Sequence, residues 1–338
     1  MNRTKKQHYV PQSYLENWSI PGQHHVYVFD KYKDEVRTNN IEDIASENYF
    51  YDLNFAGVFS EAEIKQYQLD DIDLSKIDNN QYIENYFANH IESIYKQSLD
   101  KIITRVRSMS EWEMRNCFFI QPERVYSLAI LLVLQRIRVK SIRDTIVEMT
   151  DMLGQALTEN NAPQSMIDEY ASLSKNQLKL LHGKMIVDNS KVLELANVLS
   201  NHIWILLKNK TKHQFFTSDN PIGTIAHSSN PYLSMSGLAS EGVEIYFPIS
   251  PDMMLIMYEK TYHSKLTPMH CRILETENEE MVNYYNSHCI INSSRCVFSQ
   301  MPDFSIVSKI KSLNPEILHL PKTSLSFGGK TYKPTKKK

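Results

Sequence analysis

The sequence predicts an α+β protein in which central long helices pack against a mainly antiparallel sheet built from N-terminal and C-terminal strands. Three observations predict it. Segments rich in β-formers lie before residue 60 and after residue 200, the stretch between them repeats apolar residues at three- and four-residue steps, and turn signals punctuate the late strands. One domain is expected over 1–320, with a β-rich part (1–60), a helical part (61–200) and a sheet part (201–320). A basic flexible tail is expected over 321–338.

In chain order, Tyr9-Val10-Pro11 must be extended before the proline, and Gln12 to Trp18 then forms a short helix. His25 to Asp30 reads as a strand, Lys31 to Asp34 as a turn and Glu35 to Thr38 as its partner strand. Asn40 to Ala45 reads as a helical turn. Residues 61–78 carry six acids against Lys65 and Lys76, a solvated connector. A long helix is expected from Asn80 to Arg107, where Ile83, Phe87, Ile91 and Ile94 share one face. A second runs from Pro122 to Leu153, and its start, Val125 to Leu134, is apolar nearly all round and therefore buried. Helices over 163–182 and 190–199 follow. Strands are then expected at Trp204–Lys208, His213–Thr217, Glu244–Pro251, Met253–Tyr258 and Arg295–Ser299, with a helix from Glu277 to Ser287.

Composition bounds the function. The 338 residues hold 37 Lys+Arg against 39 Asp+Glu, a net charge of −2, which excludes a generally basic polymer-coating protein and a highly charged disordered chain. Four cysteines with no C-x-x-C spacing argue against a zinc ribbon, a redox dithiol or a disulfide framework. The basic N-terminus has no apolar stretch behind it, and the most apolar segment is half the length of a membrane span. A soluble, cytoplasmic protein with no membrane partner is expected. No Walker loop, G-x-G-x-x-G, H-E-x-x-H or G-x-S-x-G element is present.

Polar clusters remain, each with a plain structural alternative. His8, fixed in direction by Pro11, suits a ligand or general-base role, or simply caps a neighbouring element. Glu47 and Tyr51 could line a pocket or anchor a loop. Glu84 and Glu92 lie about 80° apart around a regular helix and about 12 Å along it, so they cannot share an ion unaided and either could pair with an arginine of the second helix. Gln135-Arg136-Ile137-Arg138 ends a buried run, so its polar groups need partners. Arg136, Lys140 and Arg143 fall on one helical stripe with no acid between them, which suits phosphate or an ordinary basic surface. Ser218-Asp219-Asn220-Pro221 puts a carboxylate at a strand end, as metal sites do and as ordinary turns do.

Together these clusters resemble a bacterial family of unknown function, domain of unknown function 4238. The resemblance rests on His8 to Leu15, Glu47-Asn48-Tyr49-Phe50-Tyr51, Ile83-Glu84 and Ile91-Glu92, Gln135 with Arg138, Thr217 to Pro221, and Phe247 to Pro251. Trp18 stands where the family more often shows phenylalanine, and Arg136-Ile137-Arg138 stands where a proline often follows the arginine. The family name carries no activity, so the resemblance implies a site and not a reaction. Polar motifs far apart in sequence suggest one pocket. The leading expectation is a metal-dependent phosphodiester hydrolase acting on nucleic acid, in a toxin or phage-defence setting. Glu84 and Asp219 would hold Mg or Mn, His8 would act as base, and Gln12, Gln135, Arg136, Arg138, Ser218 and Asn220 would bind substrate. The alternative is a non-catalytic nucleotide- or protein-binding module using the same pocket.

Overall fold

A computed structural model of the chain describes residues 3–53, 81–171, 175–230, 234–319 and 323–334. The α+β class stands, with 48% of residues helical and 21% in mainly antiparallel strands. The acidic stretch 61–78 lies outside the described residues.

Strand β1 (Lys6–His8) pairs antiparallel with β4 (Ser46–Asn48). Between them come helix α1 (Gln12–Leu15), the hairpin of β2 (His25–Asp30) and β3 (Glu35–Asn40), and a 3-10 turn (Ile41–Asp43). The hairpin joins two late strands, β6 (Thr217–Ser218) and β11 (Cys296–Ser299), in an antiparallel sheet of order β3-β2-β11-β6. N-terminal and C-terminal strands thus share a sheet, as the sequence predicts. A second, five-stranded sheet consists of late strands alone. It contains β5 (Ile203–Asn209), β7 (Gly223–Ala226), β8 (Val243–Ser250), β9 (Met253–Tyr258) and β10 (Arg272–Thr276) in the order β10-β5-β9-β8-β7. Its β5–β10 pair is parallel. The expected strand at His213–Thr217 shrinks to β6, because Phe215 N–H donates to Pro251 O and Phe216 N–H to the Asn286 side chain rather than to a ladder.

The first long helix is three segments: α2 (Tyr82–Tyr86), a π-helical turn (Phe87–Ile91) and α3 (Glu92–Ser108). A short helix, α4 (Glu111–Asn116), follows behind a capping box at Ser110 and Glu113. The second expected long helix breaks at Val139 into α5 (Val125–Arg138) and α6 (Lys140–Glu159). No proline or glycine sits there. Side chains make the break, because the carbonyls that α5 leaves open are taken by the His182 ring on Ile137 O at 2.8 Å and the Tyr51 hydroxyl on Arg138 O at 2.9 Å. Helices α7 (Gln164–Ala171), α8 (Lys175–Val187) and α9 (Asn189–Ser200) complete the middle of the chain, and α10 (Glu279–Asn292) and α11 (Ile306–Leu313) flank β11. The apolar run of α5 is buried, with Ala129, Leu132 and Val133 fully inside the main core.

Within the expected C-terminal tail, residues 323–334 are described. Strands β12 (Leu325–Phe327) and β13 (Lys330–Tyr332) form a hairpin across Gly328-Gly329, both at positive φ (57° and 77°), the geometry a two-residue turn demands. Tyr332 packs with Met152 and Ala156 of α6, and its hydroxyl donates to Glu159 at 2.9 Å. Residues 325–332 are thus docked on α6. No helix among the described residues is long and apolar enough to cross a membrane.

Candidate functional site: a main-chain clamp beside a pair of cations

The last turn of α5 sits where the N-terminal segment and the Pro221 loop meet. Three of its polar side chains each hold a main-chain carbonyl. Gln135 Nε2 donates to Tyr9 O at 3.2 Å, Arg138 Nη2 donates to His8 O at 2.7 Å, and Arg136 Nη1 donates to Ile222 O. Three residues expected to grip phosphate therefore fix the chain instead. Arg138 is 2% exposed and lies with its Cζ 3.9 Å from the Phe87 ring centroid. It also reaches Glu92 Oε1 at 3.0 Å, the inter-helix ion pair that the two acids allowed. The π-helical turn between Glu84 and Glu92 re-phases the helix, so Glu84 also lies close enough to feel both Arg138 and Glu92.

His8 is buried and fully engaged. Its Nε2 lies 3.2 Å from Glu42 O and its Nδ1 3.3 Å from the Gln12 amide, so Nε2 carries the proton and Nδ1 accepts. Burial lowers its pKa, keeping the ring neutral. Gln12 thus orients His8, and neither ring nitrogen is left open for a base or ligand role.

Asp219 occupies a different junction. Its Oδ1 accepts from Ser294 N–H at 2.7 Å, and its Oδ2 from Arg295 N–H at 2.8 Å and Cys296 N–H at 2.9 Å. Ser218 Oγ accepts from Asn220 N–H, and Asn220 Nδ2 donates to Asn292 O at 3.0 Å. On the other side, Lys31 Nζ donates to the carbonyls of Ile290, Ile291 and Ser293 at the end of α10. Lys31 caps the helix and the Ser-Asp-Asn turn captures the strand that follows. The expected substrate contacts of Ser218 and Asn220 are turn and loop contacts.

The structure therefore brings His8, Gln12, Gln135 and Arg138 together, with Glu84 beside them, and ties Asp219 to the α10–β11 connection. Mg or Mn does not fit the expected donors. The Asp219 oxygens already accept from three N–H groups, Glu84 lies within the field of the Arg138 guanidinium, and no group of three His, Cys, Asp or Glu among the described residues could hold a metal ion.

Glu84 itself is chemically unusual. Burial pushes its carboxyl up to about 7 against the pull of Arg138, with Glu92 and Asp52 adding to the rise. A raised carboxyl gives stability that is complete below the unfolded value near 4.5 and is lost as pH rises through about 7. Glu84→Gln should therefore raise the melting temperature by roughly 2–4 °C at about pH 8 and leave it unchanged at about pH 4. Melting curves against pH check this, and a lower Tm for the variant at alkaline pH contradicts it.

The other half of the predicted basic stripe behaves differently. Beyond the Val139 break, Lys140 pairs with Glu47, and the Arg143 guanidinium lies with its Cζ 3.6 Å from the Phe50 ring centroid. Arg143 Nε and Nη2 both donate to His182 Nδ1, at 3.2 and 3.1 Å, and this neutral, fully buried ring is pushed down to about 3 by burial and by Arg143. Lys179 of α8 stands next to Arg143 and donates to Tyr49 O at 2.8 Å. Neither Arg143 nor Lys179 is ion-paired to a carboxylate among the described residues. Burial lowers Arg143 to about 10, offset by Tyr51, Glu47 and Asp144, and burial followed by Arg143 lowers Lys179. Helix α6 starts here with no side-chain cap and no acid in its first turn, the reverse of what its dipole favours.

Two further groups went unread in the sequence. Glu244, at the head of apolar β8, is buried and takes His227 Nε2 at 2.7 Å and the Tyr285 hydroxyl at 2.6 Å. An acid inside a buried run requires such partners, and that was the available signal. Surface clefts also lie around Lys212, His213 and Gln214, away from the clamp.

Comparison with curated proteins and with solved structures finds no match. Residues 6–303 match the family described as protein of unknown function (DUF4238), a span that takes in the clamp, the turn at Asp219 and the Arg143–Lys179 pair, and the chain belongs to that family.

Proposed function

We propose that the protein binds a phosphate-bearing ligand, a nucleotide or nucleic acid, at the start of α6. The observation that carries this reading is the Arg143–Lys179 pair. Two half-buried cations stand side by side, lowered by burial, with no carboxylate paired to either among the described residues. Placing like charges together at the positive end of an uncapped 20-residue helix is unfavourable unless an anion completes the group. A phosphate supplies that charge and accepts from arginine's fork and from Lys179.

Pyrophosphate in EDTA should therefore raise the melting temperature of the wild-type protein, since a ligand that binds the folded state alone stabilises it. A protein that answers to Mg²⁺ or Mn²⁺ but not to pyrophosphate would sink the reading.

Phosphodiester hydrolysis is the second reading, and Glu84 favours it. A carboxyl that titrates at about 7 is poised for proton transfer near neutrality, and the Tyr51 hydroxyl senses Arg138, Glu84 and Arg143 together. A toxin or phage-defence role rests on that cleavage, and Glu84→Gln with unchanged cleavage of RNA and DNA would remove Glu84 from it.

A further inference from the structure

The phosphate reading leaves one neighbour of the cation pair without a role. Tyr49 has φ 53°, in the left-handed region that glycine and asparagine enter readily and that a tyrosine enters at a cost. The surrounding main chain holds it there. Tyr49 N–H donates to Lys5 O at 2.7 Å, and Tyr49 O accepts from Lys179 Nζ at 2.8 Å. The side chain does not explain the conformation. The residue is 37% exposed, and its hydroxyl has no hydrogen-bond partner among the described residues. The Arg3 guanidinium lies 4.9 Å from the ring centroid, which covers one face at most.

An exposed aromatic ring, held on an unfavourable backbone by the same lysine that stands beside Arg143, joins a π-face to a phosphate-seeking pair. We infer that Tyr49 is a stacking platform for a base of a single-stranded nucleic acid whose backbone phosphate meets Arg143 and Lys179. This rests on the phosphate reading and narrows it. Inorganic and sugar phosphates have no flat ring to place on Tyr49, and a duplex keeps its bases stacked on one another. A single strand offers backbone charge to Arg143 and Lys179 and an unstacked base to Tyr49, the pairing of cations and aromatic rings that single-strand binders use without reading sequence.

The test compares a short labelled oligouridylate with a ribose-phosphate chain of the same length that lacks bases, both in EDTA. The wild-type protein should prefer the oligouridylate by about fivefold or more, the lower end of what stacking one base contributes. Tyr49→Gly and Tyr49→Asn should lose that preference, bind the base-free chain as the wild type does, and melt no lower than the wild type because the left-handed backbone suits them. Tyr49→Phe should keep the preference. Equal binding of both chains by the wild type, or a preference that survives in Tyr49→Gly, overturns the inference while leaving the phosphate site standing. Failure of the wild type to bind either chain overturns this inference, and it overturns the phosphate reading as well when pyrophosphate in EDTA also leaves the melting temperature unchanged.

Discussion

Arg138→Met should lower the melting temperature by about 4 °C or more. The guanidinium is almost wholly buried and holds His8 O, Glu92 and the Tyr51 hydroxyl at once. Removing it leaves a carbonyl and a hydroxyl without a donor and a partly buried carboxylate without its counter-ion, a loss of about 3 kcal/mol or more. Arg138→Lys should not restore stability, because one ammonium cannot span three partners that a planar fork reaches. Denaturant or thermal unfolding of both variants checks this, and near-wild-type stability of Arg138→Met would show that the clamp is not what joins α5 to the N-terminal segment.

Asp219→Ala should cost on the order of 2–3 kcal/mol, since three partly buried N–H groups of residues 294–296 lose their acceptor. The sign of this change separates two roles. A carboxylate held ready for a cation strains the metal-free protein, so its removal in EDTA leaves Tm level or raises it. A carboxylate that ties β6 to the α10–β11 connection lowers Tm when removed, with or without metal. Asp219→Asn should fall between wild type and alanine, because its amide keeps one acceptor oxygen and turns a second donor toward N–H groups.

Much of the fold was legible because it depends on local periodicity. The apolar run of α5, the β8–β9 hairpin and the pairing of β2 with β3 follow from residue patterns within a few positions of one another. The Val139 break was not legible, since it is made by Tyr51 and His182, side chains 87 and 45 residues from the carbonyls they hold. That break explains why the stripe of Arg136, Lys140 and Arg143 divides, with Arg136 turned to Ile222 and Arg143 to Phe50. The turn at Asp219 was ambiguous for a different reason. A strand-end aspartate looks the same in sequence whether it meets an ion or main-chain N–H groups, and such donors 75 to 77 residues away leave no residue signature. Family membership was legible from the motif set, and most of those motifs prove to be partners in the clamp and the turn.

The central claim is that phosphate is taken by Arg143 and Lys179 without a metal. Equilibrium titration of a labelled single-stranded oligonucleotide in EDTA tests it most directly, with the wild type, Arg143→Gln and Lys179→Gln compared at one salt concentration. The account predicts binding by the wild type, affinity reduced about tenfold or more in each variant, and little change in the Tm of Lys179→Gln, whose ammonium ends on a loop carbonyl. Equal affinity in all three proteins, or wild-type binding that appears only when Mg²⁺ or Mn²⁺ is added, would contradict it.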